Sequence, residues 1–138
     1  RRPATQYVAR LVGLNLLSGR RSADGLVVLG DGSTIVANGL DVVAAPTGPV
    51  LVVLRPSAIA LHTARPTEGS PRNVWPGTIT GLELLTDRVR VQVQARPAML
   101  VDVTTAAVAE LHLAEGMPIW MSAKATDIDV YADAGRPV

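Results

Sequence analysis

"RVRVQVQA" (Arg88–Ala95) alternates strictly, placing Val89, Val91 and Val93 on one face and Arg88, Arg90, Gln92 and Gln94 on the other. A period of two with one apolar face is the signature of a half-buried β-strand. Working outward, "GTITGLELL" (77–85) precedes it and "MLVDV" (99–103) follows it, both strand-like. "TTAAVAELHLAEGMP" (104–118) predicts the one good helix, with Thr104 or Thr105 capping its start, Gly116 at the C′ position and Pro118 blocking continuation. "IWMSAK" (119–124) and "IDVYA" (128–132) then predict closing strands. Upstream, "YVARLVGLNLL" (7–17), "GLVVLG" (25–30), "TIVA" (34–37) and "VLVVL" (50–54) read as short strands, with Asp31–Ser33 as a hairpin turn. "ARPTEGSPR" (64–72) is the best linker. The expectation is an all-β fold with one short helix, built as two small OB-like barrel lobes over 1–63 and 64–138 that pack as one unit. At the level of sequence no repeat is strong enough to treat the lobes as duplicates.

The chain has 138 residues and a net charge of +1, with 48% apolar residues and no cysteine. That suffices for one core of ordinary size. The charge balance predicts no sequence-independent grip on nucleic acid and no basic face for a membrane. Lack of cysteine removes disulfides, thiolate catalysis and Cys-ligated zinc, which fits a cytoplasmic setting. No apolar run is long enough to span a bilayer, so no direct membrane insertion is expected, and "RRPATQYVARLVGLNLL" (1–17) lacks a signal-peptide core and cleavage site. Among 13 basic residues only Lys124 is lysine.

Most catalytic and cofactor chemistries find no support. "NLLSGRRS" (15–22) has a superficial likeness to the signature loop of transporter ATPases, but the chain contains no G-x-x-x-x-G-K-[ST] loop to cradle phosphates. His62 and His112 stand apart with no ligand cluster at metal spacing, and no G-x-S-x-G elbow prompts a serine nucleophile. Four aromatic residues, Tyr7, Trp75, Trp120 and Tyr131, are too few for a base-stacking platform, and the two tryptophans read as core or interface residues. What remains is an anion site. A tetrahedral dianion needs several donors converging on a small volume, supplied by backbone N–H groups, hydroxyls and a cation. Ser70, Arg72 and Asn73, then Thr104 and Thr105, then Lys124 and Thr126 offer such donors at element ends. The same residue types also serve as ordinary turn and cap residues, and residue type alone leaves both readings open.

"SPRNVWPGTITGLE" (70–83) followed by "VDVTTAAVAELHLAEGMPIWMSAKATDIDVYA" (101–132) resembles the molybdate-binding module, whose pattern runs S-A-R-N, then I-T-x-x-S-V, then K-A-[ST]. "YVARLVGLNLLSG" (7–19) and "VLRPSAIALH" (53–62) are similar to the transport-associated OB (TOBE) segment that follows the nucleotide-binding domain of importer ATPases. The resemblance implies a cytoplasmic regulatory domain of a molybdate or tungstate ABC importer's ATPase subunit, peripheral at the inner face of the membrane, without enzymatic activity or cofactor of its own. It implies that Ser70, Arg72, Asn73, Thr104, Lys124, Ala125 and Thr126 bind the oxyanion, that the domains pair as a homodimer, and that the permease is contacted through an ATPase domain not contained in this sequence. Pro71 stands where the pattern has alanine, removing a backbone N–H, and Ala107 where it has serine, removing a hydroxyl. The first half alone fits equally a dimerisation and interaction TOBE domain of a sugar, polyamine or iron importer. A free-standing molybdate storage protein is a third reading.

Overall fold

The computed structural model describes residues 13–22, 26–37, 47–69 and 73–133. Ten strands appear among them in two five-stranded antiparallel sheets. The first half supplies β1 (Asn15–Arg21), β2 (Leu26–Leu29), β3 (Thr34–Val36), β4 (Gly48–Leu54) and β5 (Ala60–His62), with a 3-10 turn at Pro56–Ala58. The second half supplies β6 (Asn73–Leu84), β7 (Val89–Ala95), β8 (Met99–Val103), helix α1 (Thr105–Leu111), β9 (Pro118–Ala123), a 3-10 turn at Ala125–Asp127 and β10 (Ile128–Ala132).

Strand order is β10-β4-β1-β2-β3 in sheet A and β5-β9-β6-β7-β8 in sheet B. Replacing each of β1–β5 by β6–β10 converts one order into the other. The two halves therefore share one topology, and each gives its last strand to the sheet of the other. β5, at residues 60–62, belongs to the sheet of the second half, and β10, at 128–132, to that of the first. Both sheets curl into half-barrels, and in sheet B the edge strands β5 and β8 approach each other, as barrel closure requires. Exchange of this kind leaves neither half with a complete sheet on its own. The buried apolar residues accordingly form one cluster, from Val27, Ile35, Val52 and Leu54 of sheet A to Trp75, Ile79, Val91, Val101, Ile119 and Met121 of sheet B.

The repetition extends to single residues. Gly19 and Gly77 each lie four positions after an asparagine that opens a strand. A Cβ on Gly19 would come within 2.7 Å of the Val28 carbonyl and 3.0 Å of Val27 Cγ1. On Gly77 it would come within 3.0 Å of the Gln94 carbonyl and 2.5 Å of Val93 Cγ1. Both strands must be bare at this point because the neighbouring strand passes too close. One corresponding pair is dissimilar. By the same register Arg21 stands where the second half has the fully buried Ile79, and it is 3% exposed. Neither terminal nitrogen of Arg21 has a hydrogen-bond partner among the described residues.

The alternation of Arg88–Ala95 holds: Val89, Val91 and Val93 are buried, and Gln92 and Gln94 are exposed. The helix is shorter than its sequence predicts. It ends at Leu111, and the left-handed cap is His112 (φ 54), not Gly116. His112 N–H reaches back to the carbonyls of Val108 and Ala109, which stops the helix one turn early. Gly116, also at positive φ (85), instead donates its N–H to the Ile79 carbonyl at 2.7 Å, fastening the loop to β6.

On the outer face of sheet B, Arg90 grips Asp102 with two hydrogen bonds of 2.8 Å, and Arg88 Nε adds a third at 2.9 Å. Burial pushes the Asp102 carboxyl up, but the bonds from Arg90 and Arg88 outweigh it and hold the group below its ordinary value. A depressed folded-state pKa contributes stability above the unfolded value, and that contribution is lost as pH falls through the folded one. Asp102→Asn should therefore lower the unfolding free energy near neutral pH by about 1–3 kcal/mol. The gap to wild type should close as the pH drops below about 4, measured by urea unfolding across a pH series. A gap that stays constant to low pH would contradict the assignment.

Candidate functional site

Asn73 opens β6 and pairs in register with Ala123, the last residue of β9. This register sets Lys124, Ala125 and Thr126 just beyond the end of the ladder that Asn73 opens. Ser70 and Arg72 lie outside the described residues. Lys124 occupies the cap position of the second 3-10 turn in extended conformation (φ −79, ψ 141) and is exposed. It makes no ion pair among the described residues. In the turn, Asp127 N–H bonds the Lys124 carbonyl at 3.0 Å and Ile128 N–H bonds the Ala125 carbonyl. The N–H groups of Ala125 and Thr126 fall outside that ladder, as the first donors of a helical turn do. One ammonium, two backbone donors and the Thr126 hydroxyl thus share one corner of sheet B.

Asn73 is buried, at 4% exposure, and its amide is engaged within the chain. Its Oδ1 accepts from Val36 N–H at 2.8 Å, and its Nδ2 donates to the Val36 carbonyl at 2.8 Å and to the Ala123 carbonyl at 3.4 Å. The side chain fastens β3 of sheet A to the corner of sheet B. Asn15 does the same in the other half, with Nδ2 donating to the Leu100 carbonyl and Oδ1 accepting from Leu100 N–H, both at 2.8 Å. Each asparagine satisfies one N–H and one C=O of an edge strand that would otherwise lack partners there.

Thr104 sits elsewhere. It follows Val103, which pairs with Val89, which in turn ends the β6–β7 ladder opposite Leu84. Asn73 is at the other end of β6, so within one chain Thr104 and Lys124 lie at opposite ends of sheet B. Thr104 Oγ1 accepts from Ala107 N–H at 3.0 Å and caps α1. Of the predicted residues, the structure brings together Asn73, Lys124, Ala125 and Thr126 and does not bring Thr104 to them. A shallow depression lined by Pro76, Gln94, Ala95 and Arg96 includes none of the seven. No group of His, Asp and Glu able to hold a metal ion occurs among the described residues.

Residue type and spacing did not distinguish Asn73 from its neighbours in "SPRN". A signal was present in Asn15, which opens the equivalent strand without a serine or arginine before it.

The TOBE domain family matches residues 69–130. Two curated relatives, each called molybdenum import ATP-binding protein ModC and coming from two strains of Mycobacterium tuberculosis, are 30% identical over 134 residues. The match takes in 94% of this chain and 36% of each relative, so the chain spans about a third of their length. A crystal structure of the cytoplasmic molybdate-binding protein ModG, in a form with molybdate bound, superposes with a TM-score of 0.73 at 24% identity, covering 86% of this chain and 95% of that one. At that identity the likeness speaks to the fold.

Asn73→Ala leaves the Val36 N–H and C=O without their partner and should cost about 2–4 kcal/mol of stability. Asn15→Ala should cost a similar amount, because its two bonds are equivalent. Chemical unfolding of both variants checks this: a loss below about 0.5 kcal/mol for either, the range of a surface change, would contradict the fastening role.

Proposed function

Because residues 69–130 match the TOBE domain family, and 94% of the chain is similar to the third of an importer's ATP-binding protein that it covers, we propose that it is the regulatory part of a molybdate or tungstate importer's ATP-binding subunit. It binds the oxyanion and reports supply to the transporter. The observation that carries this reading is the register of Asn73 with Ala123, which brings the Lys124 ammonium, without an ion pair among the described residues, and the first two N–H groups of its turn to the corner of sheet B that Asn73 opens. Several donors at one corner suit a compact tetrahedral dianion. An extended ligand would need a longer groove.

Placement of Thr104 at the far end of sheet B supports a paired arrangement. A second copy can set its own Thr104 against the Lys124 corner, so that the anion lies between two copies in a closed symmetric homodimer. The sequence has no phosphate-cradling loop, so ATP turnover is assigned to the remainder of such a subunit, as is contact with the permease. No described helix is long and apolar enough to cross a membrane, and the domain would act from the cytoplasmic face as part of the transporter. The rival TOBE reading, an interaction domain of a sugar, polyamine or iron importer, requires no anion at this corner.

Calorimetric titration with molybdate, tungstate, sulfate and phosphate separates the two readings. Molybdate and tungstate should bind more tightly than sulfate, because donors set for the larger anion cannot all close on the smaller one. Lys124→Ala should weaken molybdate about ten- to a hundredfold, the worth of a charge-assisted hydrogen bond. Lys124→Arg should recover only part, since a planar guanidinium does not fit the space of an ammonium. Equal molybdate binding by wild type and Lys124→Ala would remove the proposed site and leave the interaction-domain reading.

A further inference from the structure

The register that sets Arg21 in the place of Ile79 also sets Gly48 in the place of Met117. Arg20 pairs with Pro49 as Thr78 pairs with Pro118, and one step on Arg21 pairs with Gly48 where Ile79 N–H bonds the Met117 carbonyl at 2.9 Å. In the second half both side chains are apolar: Ile79 is fully buried and Met117 packs against the core. In the first half the same positions hold a guanidinium and no side chain. A Cβ on Gly48 would meet no heavy atom of the described residues within 4 Å. On its other side Arg21 pairs with the fully buried Val27, which pairs in turn with the equally buried Ile35. Arg21 thus lies in a row whose side chains offer no acceptor, and it makes no ion pair among the described residues.

From this exchange of apolar filling for charge and room we propose that Arg21 binds a small oxyanion inside the first half, beside Gly48. The site is separate from the Lys124 corner and does not depend on the function proposed there. A guanidinium cannot escape burial by losing its proton. Withdrawn from water without an acceptor it is costly, and an apolar residue of similar size would serve the core better. Ile79 shows that the fold accepts such a residue at this position. What arginine supplies and isoleucine cannot is its two terminal nitrogens, both buried and both without a hydrogen-bond partner among the described residues. Two parallel N–H groups fit two oxygens of one anion. Inorganic oxyanions and small carboxylates share that paired-oxygen edge. Gly48, at φ 111, has a conformation that strains any residue with a side chain, which keeps the room beside Arg21 clear. Gly48 is half-buried and Thr47 before it is exposed, so the site lies near the surface.

Thermal unfolding of the whole chain in a Lys124→Ala background tests this with the other corner removed, so that failure here leaves the function proposed for that corner standing. In chloride alone, adding Arg21→Met should raise the midpoint by about 3 °C or more, because a buried charge without a partner is gone. Sulfate, phosphate and acetate are then added singly at matched ionic strength. At least one should raise the parent's midpoint with the logarithm of its concentration, and none should do so in Arg21→Met. The inorganic and carboxylate arms tell the two sources apart. A parent that responds to none of the three, or an Arg21→Met that responds equally, would overturn the proposal. So would an Arg21→Met that is less stable than its parent in chloride or fails to fold, the mark of a guanidinium already bonded within the chain. The guanidinium N–H signals of Arg21 in the isotopically labelled wild-type chain give a reading without substitution: they should shift with the same oxyanion, and signals that stay in place would overturn the proposal.

Discussion

Two asparagine amides hold this molecule in its shape. Asn15 and Asn73 each reach from the first residue of a long strand to an edge strand of the opposite sheet, where they satisfy an N–H and a C=O with bonds of 2.8 Å. An edge strand buried without such a partner would leave backbone groups unpaired at a cost of about 1–3 kcal/mol each. The bonds join sheet A to sheet B twice, related by the pseudo-symmetry. Together with the exchange of β5 and β10 they make the halves one body around one core. They also fix where the strand ends lie, and so where the turns after β4 and β9 emerge. The candidate site is one of the two corners so defined.

Much of this could be read in the sequence. Alternation in Arg88–Ala95, the turn at Asp31–Ser33 and the capping threonine at 104 each state a local rule, and the fold obeys them. Strand exchange could not be read, because a period of two tells which face of a strand is buried and not which strand lies beside it. The duplication escaped for a related reason. What recurs is backbone geometry, and it demands few residues: an asparagine at the opening of β1 and β6, a glycine four positions on, and a 3-10 turn before the exchanged strand. At most other matching positions any apolar residue of suitable size serves. The sequence overstates the helix because "LHLAEG" (111–116) continues its composition, and nothing in residue type says that His112 takes the left-handed cap.

The candidate site was legible as chemistry and incomplete as geometry. Donor types in "SPRN", at Thr104 and in "KAT" suit an oxyanion, yet one of them, Asn73, has its amide committed to the scaffold, and another, Thr104, belongs to the far end of the sheet. Charge follows the same division of labour. Arg88 and Arg90 share the carboxylate of Asp102 on the outer face of sheet B, and Arg88 also pairs with Asp87, whereas Lys124 and Arg55 make no ion pair among the described residues. With a net charge of +1 the chain has little long-range field to attract anions.

The proposed function requires an oxyanion held where the turn after β9 meets the start of β6. Amide chemical-shift mapping of the isotopically labelled chain during molybdate addition tests it most directly. The N–H signals of Ala125 and Thr126 should move most, and those of Ser57 and of the Arg88–Asp102 cluster should stay in place. Shifts centred on Ser57, or no shift at Ala125 and Thr126 at saturating molybdate, would contradict it.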